Sequence, residues 1–155
     1  AWHSPDGSAQ QSLTMLSDRR GTAAETLIYI AIFVILLFGS VQIGRAFAIK
    51  DALDSGVSFA ARQLSLNPAA WTEAQASVRN EVDGNFLGAG LGSQVTLTLM
   101  NSSGSTITSA QLAALSFGSE FRLRASLPLN VVVPLLLNET RTIQVEHRML
   151  VERYP

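Results

Sequence analysis

The sequence predicts an α+β protein: an N-terminal transmembrane helix that continues into an amphipathic stalk, a second helix, and a small antiparallel sheet of about three strands. Two observations carry this prediction. An uncharged apolar run is followed by apolar residues at helical spacing, and the pattern changes to a strand-like alternation after a glycine-rich stretch, Gly88–Gly92. The chain has 155 residues, which leaves room for one modest globular domain beside the apolar run.

Composition excludes several classes of protein. The net charge is −1, and the arginines beyond the apolar run alternate with acidic residues, which disfavours a nucleic-acid partner. The chain has no cysteine, so disulfides, thiolate nucleophiles and cysteine metal sites are excluded.

Residues 1–20 are predicted to be a polar tail or a leader-like segment. They are rich in Ser and Gln and are interrupted by Pro5 and Gly7. Such a composition has too little apolar surface to fold alone. We therefore place the boundary of the first folded element at residue 21.

The segment from Thr26 to Gly44 carries no formal charge. As a helix it would be about 28 Å long at 1.5 Å per residue, close to the thickness of the hydrocarbon layer. A secretory signal is the rival interpretation, but its apolar region is shorter, about 7–15 residues, and ends in a small-residue cleavage pattern. Gly44–Ala46 fits that pattern poorly, so one transmembrane helix in contact with lipid is predicted.

Apolar residues at helical spacing predict that this helix continues beyond the membrane to about residue 66. The transmembrane helix and its extension are therefore assigned to residues 21–66. The residues of this stripe are Ile49, Leu53, Val57, Ala60 and Leu64. A second helix is predicted to begin at Asn67 as its cap, with Pro68 in the first position, and to end at Gly84. Its buried face consists of Trp71, Ala74, Val78 and Val82.

Residues 67–155 are expected to form an α+β head. After Gly88–Gly92, interpreted as a flexible connector, a strand is predicted around Val95–Leu99, followed by a turn at Asn101–Ser105. Two more half-buried strands are predicted from the alternation around Phe121–Leu127 and Ile143–Val151.

An apolar segment, Asn130–Asn138, separates the last two predicted strands. Its Pro134 argues against a central strand and indicates an edge or an apolar loop. The segment is a candidate contact surface for partners, made of Val131, Val132, Val133, Pro134, Leu135, Leu136 and Leu137.

The apolar run is preceded by an arginine-flanked glycine, small residues and Glu25, and it is followed by Gly44–Phe47 and an alanine-rich helix. This order of elements resembles the TadE-like family of pilus-assembly proteins. The likeness continues through Ala60–Arg62, Asn67–Pro68 and the closing strand Thr142–Glu152.

This resemblance implies a pilin-like, single-pass protein of the bacterial inner membrane with a cytoplasmic N-terminus and an exported head. It also implies a minor pilin-like or pseudopilin role, and cleavage by a prepilin peptidase between Gly21 and Thr22. Here three residues separate Gly21 from Glu25, whereas the family pattern has four. The alternative is an uncleaved accessory subunit that braces a large membrane complex, such as a photosynthetic or respiratory one.

Glu25 has two interpretations. As in pilin-like proteins, it pairs with the terminal amine of a neighbouring subunit and sets the register of assembly, because an unpaired charge near lipid is costly. Alternatively, it is an acidic residue in the first turn of a helix, where the helix dipole favours it.

Gly39, Gln42 and Gly44 are candidate packing residues in the predicted span. Small residues allow two helices to approach closely, and an amide can form a hydrogen bond across a helix pair. The alternative for Gln42 is a side chain near the interface that reaches the lipid headgroups.

The residues predict no enzyme. His147 and His3 are the two histidines, no G-x-S-x-G sequence occurs, and Gly88–Gly92 lacks the spacing of a dinucleotide loop. His147 is interpreted as a strand-face residue. Together with this absence of catalytic motifs, the resemblance to the TadE-like family implies a structural function, with lipid and other membrane subunits as partners and without a cofactor, metal or small-molecule substrate.

Overall fold

The computed structural model describes the backbone of residues 7–133 and 137–152, and the side chains of residues 23–133 and 138–152. Its elements confirm the α+β class. In chain order they are α1 (Gly7–Leu66), α2 (Trp71–Gly84), β1 (Thr96–Asn101), β2 (Thr106–Ile107), α3 (Ser109–Ala113), β3 (Glu120–Val133) and β4 (Leu137–Leu150).

Helix α1 begins inside the segment that the sequence analysis treats as a polar tail. Its first residue is Gly7, and the helix runs without a break to Leu66. Residues 7–20 contain no proline, and once a helix is formed each further residue adds one backbone hydrogen bond. A segment too polar to fold alone is therefore helical as the continuation of a longer helix.

The connection between the two helices differs from the prediction by three residues. Helix α2 begins at Trp71, so its predicted start at Asn67 and Pro68 is wrong. The Oδ1 atom of Asn67 instead accepts a hydrogen bond from the backbone N–H of Ala69, at 3.2 Å, and closes a local turn. The predicted buried face of Ala74, Val78 and Val82 and the end at Gly84 are confirmed.

One four-stranded antiparallel sheet has the order β2-β1-β3-β4, one strand more than predicted. The additional strand, β2, has only two residues, too few to show an alternation. It pairs with β1 across the predicted turn, where Gly104 has φ of 86° and Asn101 Oδ1 accepts from the N–H of Ser105 at 2.9 Å.

Strands β3 and β4 form a long hairpin of 14 residues in each strand. Strand β1 pairs with β3 only as far as Ser126, so the rest of β3 is bonded to β4 alone. Pro128 lies in this part, where a proline removes no hydrogen bond to a third strand. Residues 130–133 are therefore edge strand, one of the two predicted alternatives, while Pro134–Leu136 lie outside the described residues.

The core lies between the second half of α1, α2 and the inner face of the sheet. Its fully buried side chains include Ile49, Leu53, Val57, Leu64, Val78, Phe121, Leu123 and Leu127. Polar contacts fix the sheet on the helix: Ser65 Oγ donates to the carbonyl of Leu150 at 2.5 Å, and His147 Nε2 lies 3.0 Å from Asp54 Oδ1. Since the residue numbers of these pairs increase together, from Asp54 to Ser65 and from His147 to Leu150, β4 runs parallel to α1.

The connector Gly88–Gly92 is packed and held by hydrogen bonds, so its interpretation as a flexible linker is wrong. The N–H of Gly92 donates to Asp83 Oδ1 at 2.7 Å. A Cβ atom at Gly88 would lie 2.6 Å from the carbonyl oxygen of Val82, and one at Gly92 would lie 2.5 Å from that of Arg79. Glycine is needed at both positions because the connector lies directly against α2.

Candidate functional site

The apolar half of α1 is the only helix in the described part of the chain that is long and apolar enough to cross a membrane. Residues 26–44 carry no charged side chain, and the most apolar stretch of the helix is uncovered by the rest of the protein. Large apolar side chains are exposed around this half of the helix; they include Leu27, Tyr29, Ile30, Phe33, Leu36, Leu37, Val41 and Ile43.

Glu25 lies one residue before this uncharged stretch and is exposed. Among the side chains of residues 23–133 and 138–152, none forms an ion pair with it. Helix α1 begins at Gly7, so Glu25 lies far beyond the first turn, the region in which the helix dipole acts. The dipole interpretation therefore applies only to a chain that has been cut after Gly21, and that cleavage remains a prediction.

The three candidate packing residues of α1 do not share one face. At about 100° per residue, Gly39 and Gln42 are about 60° apart, whereas Gly44 lies about 140° from Gly39. The same angular spacing places Gly39 and Gln42 on the side of α1 that carries Ala46 and Ile49. This is the side by which α1 packs against the head. Gly39 and Gln42 thus extend the packing face of α1 into the uncharged segment.

The surroundings of the two glycines are open, whereas the amide oxygen of Gln42 is covered. A Cβ atom added at Gly39 or Gly44 would meet no heavy atom within 4 Å. The Oε1 atom of Gln42 is shielded from solvent, and it has no hydrogen-bond partner in the described structure. A buried amide oxygen without a partner costs about 1–3 kcal/mol.

The candidate surface on the hairpin is described in part. Val132 is 45% exposed on β3, while Val131 and Val133 are half-buried. Pro134, Leu135 and Leu136 lie outside the described residues, as does the side chain of Leu137. A role for this segment as a contact surface remains a prediction.

Sequence reasoning missed an apolar loop that lies beside α1 near Arg45 and Ala48. Phe86 is 92% exposed, and the loop that carries it is attached to α1 by two hydrogen bonds. Arg45 Nε donates to the carbonyl of Leu87 at 3.3 Å, and Asn85 Nδ2 donates to that of Ala48 at 3.3 Å. The available signal was two consecutive large apolar residues directly before the glycine-rich connector, but their position beside α1 depends on tertiary contacts.

Charged residues lie on the outer face of the sheet. Arg124 donates to Glu146 Oε2 through Nη2 at 2.8 Å and Nε at 3.1 Å, and Arg122 Nη1 lies 3.7 Å from Glu146 Oε1. The hydrogen bond from Arg124 lowers the pKa of Glu146, partial desolvation opposes this shift, and the charges of Arg124, Arg122 and Arg148 reinforce it. His147 lies on the opposite face, against Asp54, which confirms its interpretation as a strand-face residue.

The span and the start of the stalk thus form one continuous helix with an open face, beginning near an arginine-flanked glycine. Residues 21–62 match the family described as TadE-like protein. The matched segment begins at Gly21, includes Glu25 and the apolar half of α1, and ends within α1, four residues before its last residue, Leu66. This match confirms the resemblance over that segment. No curated protein and no solved structure matches the chain.

The TadE-like match suggests a protein related to pilus assembly, since the family is a pilus-associated structural family. Together with the apolar helix, the match supports a membrane-bound structural subunit. A single N-terminal apolar helix of this kind fits a single-pass protein of the inner membrane.

Proposed function

We propose that this protein is a non-enzymatic, single-pass structural subunit of a pilus-assembly system. It acts by packing α1 and its head against other membrane subunits. The observation that carries the proposal is the division of one TadE-like helix into two parts. One half is buried in the head of this chain, and the other half is apolar and uncovered.

The packing face of α1 supports a partner helix on the side of Gly39 and Gln42. Gly39 leaves room for another backbone to approach, because a Cβ atom there would meet nothing within 4 Å. Gln42 adds a polar amide to the same side of α1, and the residue is only partly buried. Close approach and an interhelical hydrogen bond are the two interactions that join helices in lipid.

In this proposal the N-terminus is cytoplasmic and the head is exported. Arg19 and Arg20 precede the span, and Arg45 and Lys50 follow it, so the basic residues on the two sides nearly balance. The orientation is therefore taken from the TadE-like match, with the head on the periplasmic or extracellular side.

Glu25 has its proposed role if the chain is cut between Gly21 and Thr22. The cut would place a new amine on Thr22, three residues before Glu25 and at the membrane surface, where the amine of one subunit can neutralise the carboxylate of the next. Pairing of this kind would set the register between neighbouring helices.

An uncut accessory subunit of a larger membrane complex is the second candidate. It is favoured by the continuous helix of α1, which passes through Gly21, and by the spacing of three residues before Glu25. Intact-mass measurement of the protein from its native membrane separates the two. A chain that begins at Thr22 supports the pilin-like role; a chain that retains residues 7–21 and is recovered in a fixed ratio to larger subunits supports the accessory role.

The packing proposal is tested by comparing Gly39→Leu with Gly44→Leu in the full chain. Both positions are open within the protein, but they lie on different faces of α1. Gly39→Leu should weaken association by about 1 kcal/mol, roughly fivefold, whereas Gly44→Leu should have little effect. The measurement is the amount of partner protein recovered with each variant from native membranes in mild detergent.

Gln42→Leu should weaken the same association, because it removes the amide. Thermal unfolding of the head serves as the control and should be unchanged in all three variants, since none of the positions belongs to the core. Equal recovery of partners with Gly39→Leu and the unaltered chain would contradict the proposed packing face.

A further inference from the structure

The loop of residues 85–91 lies beside α1 where the uncharged stretch ends. Its two hydrogen bonds to α1 involve Arg45 and Ala48, which follow Gly44 by one and four residues. Along a helix these positions lie about 1.5 Å and 6 Å beyond Gly44. The headgroup layer on each side of the hydrocarbon core is about 5–8 Å thick. If residues 26–44 cross the membrane, the loop therefore lies in the headgroup layer.

Three large apolar side chains are exposed at this level. Phe86 is 92% exposed and Leu87 is also exposed, while Phe47 is 63% exposed on another side of α1. Facing water, these side chains would leave a large apolar surface hydrated. The first charged residues of the helix after Arg45 are Lys50 and Asp51, about 9 Å or more beyond Gly44. The composition thus changes from apolar to charged at the height at which a headgroup layer would end.

The end of the β3–β4 hairpin also reaches the level of α1 at which the uncharged stretch ends. Strand β4 is parallel to α1, with His147 against Asp54 and Leu150 against Ser65, so the start of β4 extends from Asp54 towards Gly44. Val132 pairs with Asn138, nine residues before His147 and about 30 Å along the strand, while Gly44 lies about 15 Å from Asp54 along the helix. A strand inclined by less than about 60° to the helix therefore brings Val132 to the level of Gly44 or beyond it.

A salt bridge limits the depth of the hairpin end. Arg141 Nη2 lies 2.9 Å from Glu139 Oε2, and Glu139 pairs with Val131, next to Val132. Both charged side chains are exposed, and charged groups are costly in the hydrocarbon core. This arrangement suits the headgroup layer, in which Val132 can contact acyl chains while the ion pair remains hydrated.

We propose that the membrane-proximal end of the head is a lipid-binding surface, formed by Phe86 and Leu87 of the loop and by Val132 of the hairpin. It holds the head against the bilayer and fixes the angle between head and membrane. This inference rests on the proposed membrane span of α1. Its partner is the lipid surface itself, so it requires no second subunit.

Spin-label accessibility tests the proposal directly. The chain has no cysteine, so each single substitution to cysteine gives one labelling site without further changes. Full-length Phe86→Cys and Val132→Cys variants are labelled and reconstituted alone into phosphatidylethanolamine–phosphatidylglycerol vesicles. The collision rates with oxygen, which partitions into lipid, and with a water-soluble nickel chelate are then compared.

Two further variants provide matched controls. Phe117 is an exposed phenylalanine, 71% accessible, next to Gly118, whose N–H bonds to Val151 near Ser65; that end of α1 lies about 31 Å beyond Gly44. Phe117→Cys should therefore report water. Leu36, in the middle of the span, should report lipid as Leu36→Cys. Circular dichroism verifies that each labelled variant is folded.

The expected result is an oxygen-to-nickel collision ratio at residues 86 and 132 that is several-fold higher than at 117 and approaches that at 36. Ratios at 86 and 132 equal to that at 117, with a high ratio at 36, would overturn the lipid-binding surface but leave the span intact. Low collision rates with both reagents at 86 would also overturn it, because protein would then cover the loop. Exposure of residue 36 to the nickel chelate would instead contradict the span.

Discussion

The two halves of α1 share one backbone helix and have opposite surroundings. In residues 26–44, large apolar side chains are exposed on many sides and no charge is present. In residues 45–66, one stripe of apolar side chains is buried against the head, whereas charged and apolar side chains outside the stripe are exposed, among them Lys50, Arg62 and Phe59. The comparison shows that the described head packs on the second half, while the apolar stretch of the first half is left uncovered by it.

The largest difference is expected from the same substitution in the two halves. Leu53 is fully buried and Leu36 is exposed. Leu53→Ala should reduce the free energy of unfolding of the head by about 2–5 kcal/mol, through lost burial and a cavity. Leu36→Ala should change it by less than about 0.5 kcal/mol. Urea unfolding of the head, followed in detergent by near-ultraviolet circular dichroism, measures both values.

Retained far-ultraviolet helicity in both variants is the control, since neither substitution breaks α1. If Leu36→Ala destabilised the head as much as Leu53→Ala, the two halves would form one cooperative unit and the division proposed here would be wrong.

A smaller effect is expected from glycines in the two halves. A Cβ atom at Gly56 would lie 3.2 Å from Val78 Cα and 3.2 Å from Glu81 Cβ, so this glycine allows α1 and α2 to approach. Gly56→Leu should force the helices apart and destabilise the head by about 1–3 kcal/mol. Gly39→Leu should leave the stability of the head unchanged because its surroundings are open. Differential scanning calorimetry of the two variants compares these effects, and an unchanged melting temperature for Gly56→Leu would contradict the close helix contact.

Periodic features could be predicted from the sequence. The uncharged run and the stripe from Ile49 to Leu64 repeat a pattern over many residues, and both the candidate span and the stalk are found in the structure. Element ends were less predictable, because they depend on single local interactions. Asn67 has the composition of a helix cap, yet its side chain closes a turn before α2. Strand β2 is too short to carry any pattern.

The candidate site could also be predicted only in part from the sequence. Gly39 and Gln42 could be selected from residue type and from their position in an apolar run. That Gly44 lies on another face follows from helix geometry, and that Gln42 Oε1 is shielded does not follow from the sequence. The position of Phe86 depends on the bond between Arg45 and the carbonyl of Leu87, which are 42 residues apart. Contacts of this kind are set by the packing of α1, α2 and the connector together.

The smallest expected effect concerns pH and separates the two halves once more. Hydrogen bonding from Arg124 holds the pKa of Glu146 below its ordinary value of 4.5, so the ionised carboxylate stabilises the folded head. This contribution is fully present above the pKa of the unfolded state and is lost as pH falls through the lower pKa of the folded state.

Glu146→Gln removes this contribution at neutral pH, so the stability difference between the two proteins should shrink as pH falls below about 4.5. Thermal unfolding of both proteins from pH 7 to pH 3 measures this difference. Residues 26–44 contain no carboxylate, so the helicity of the span should persist in acid while the head loses stability. A difference that stays constant over the whole pH range would show that the Arg124–Glu146 pair does not stabilise the head.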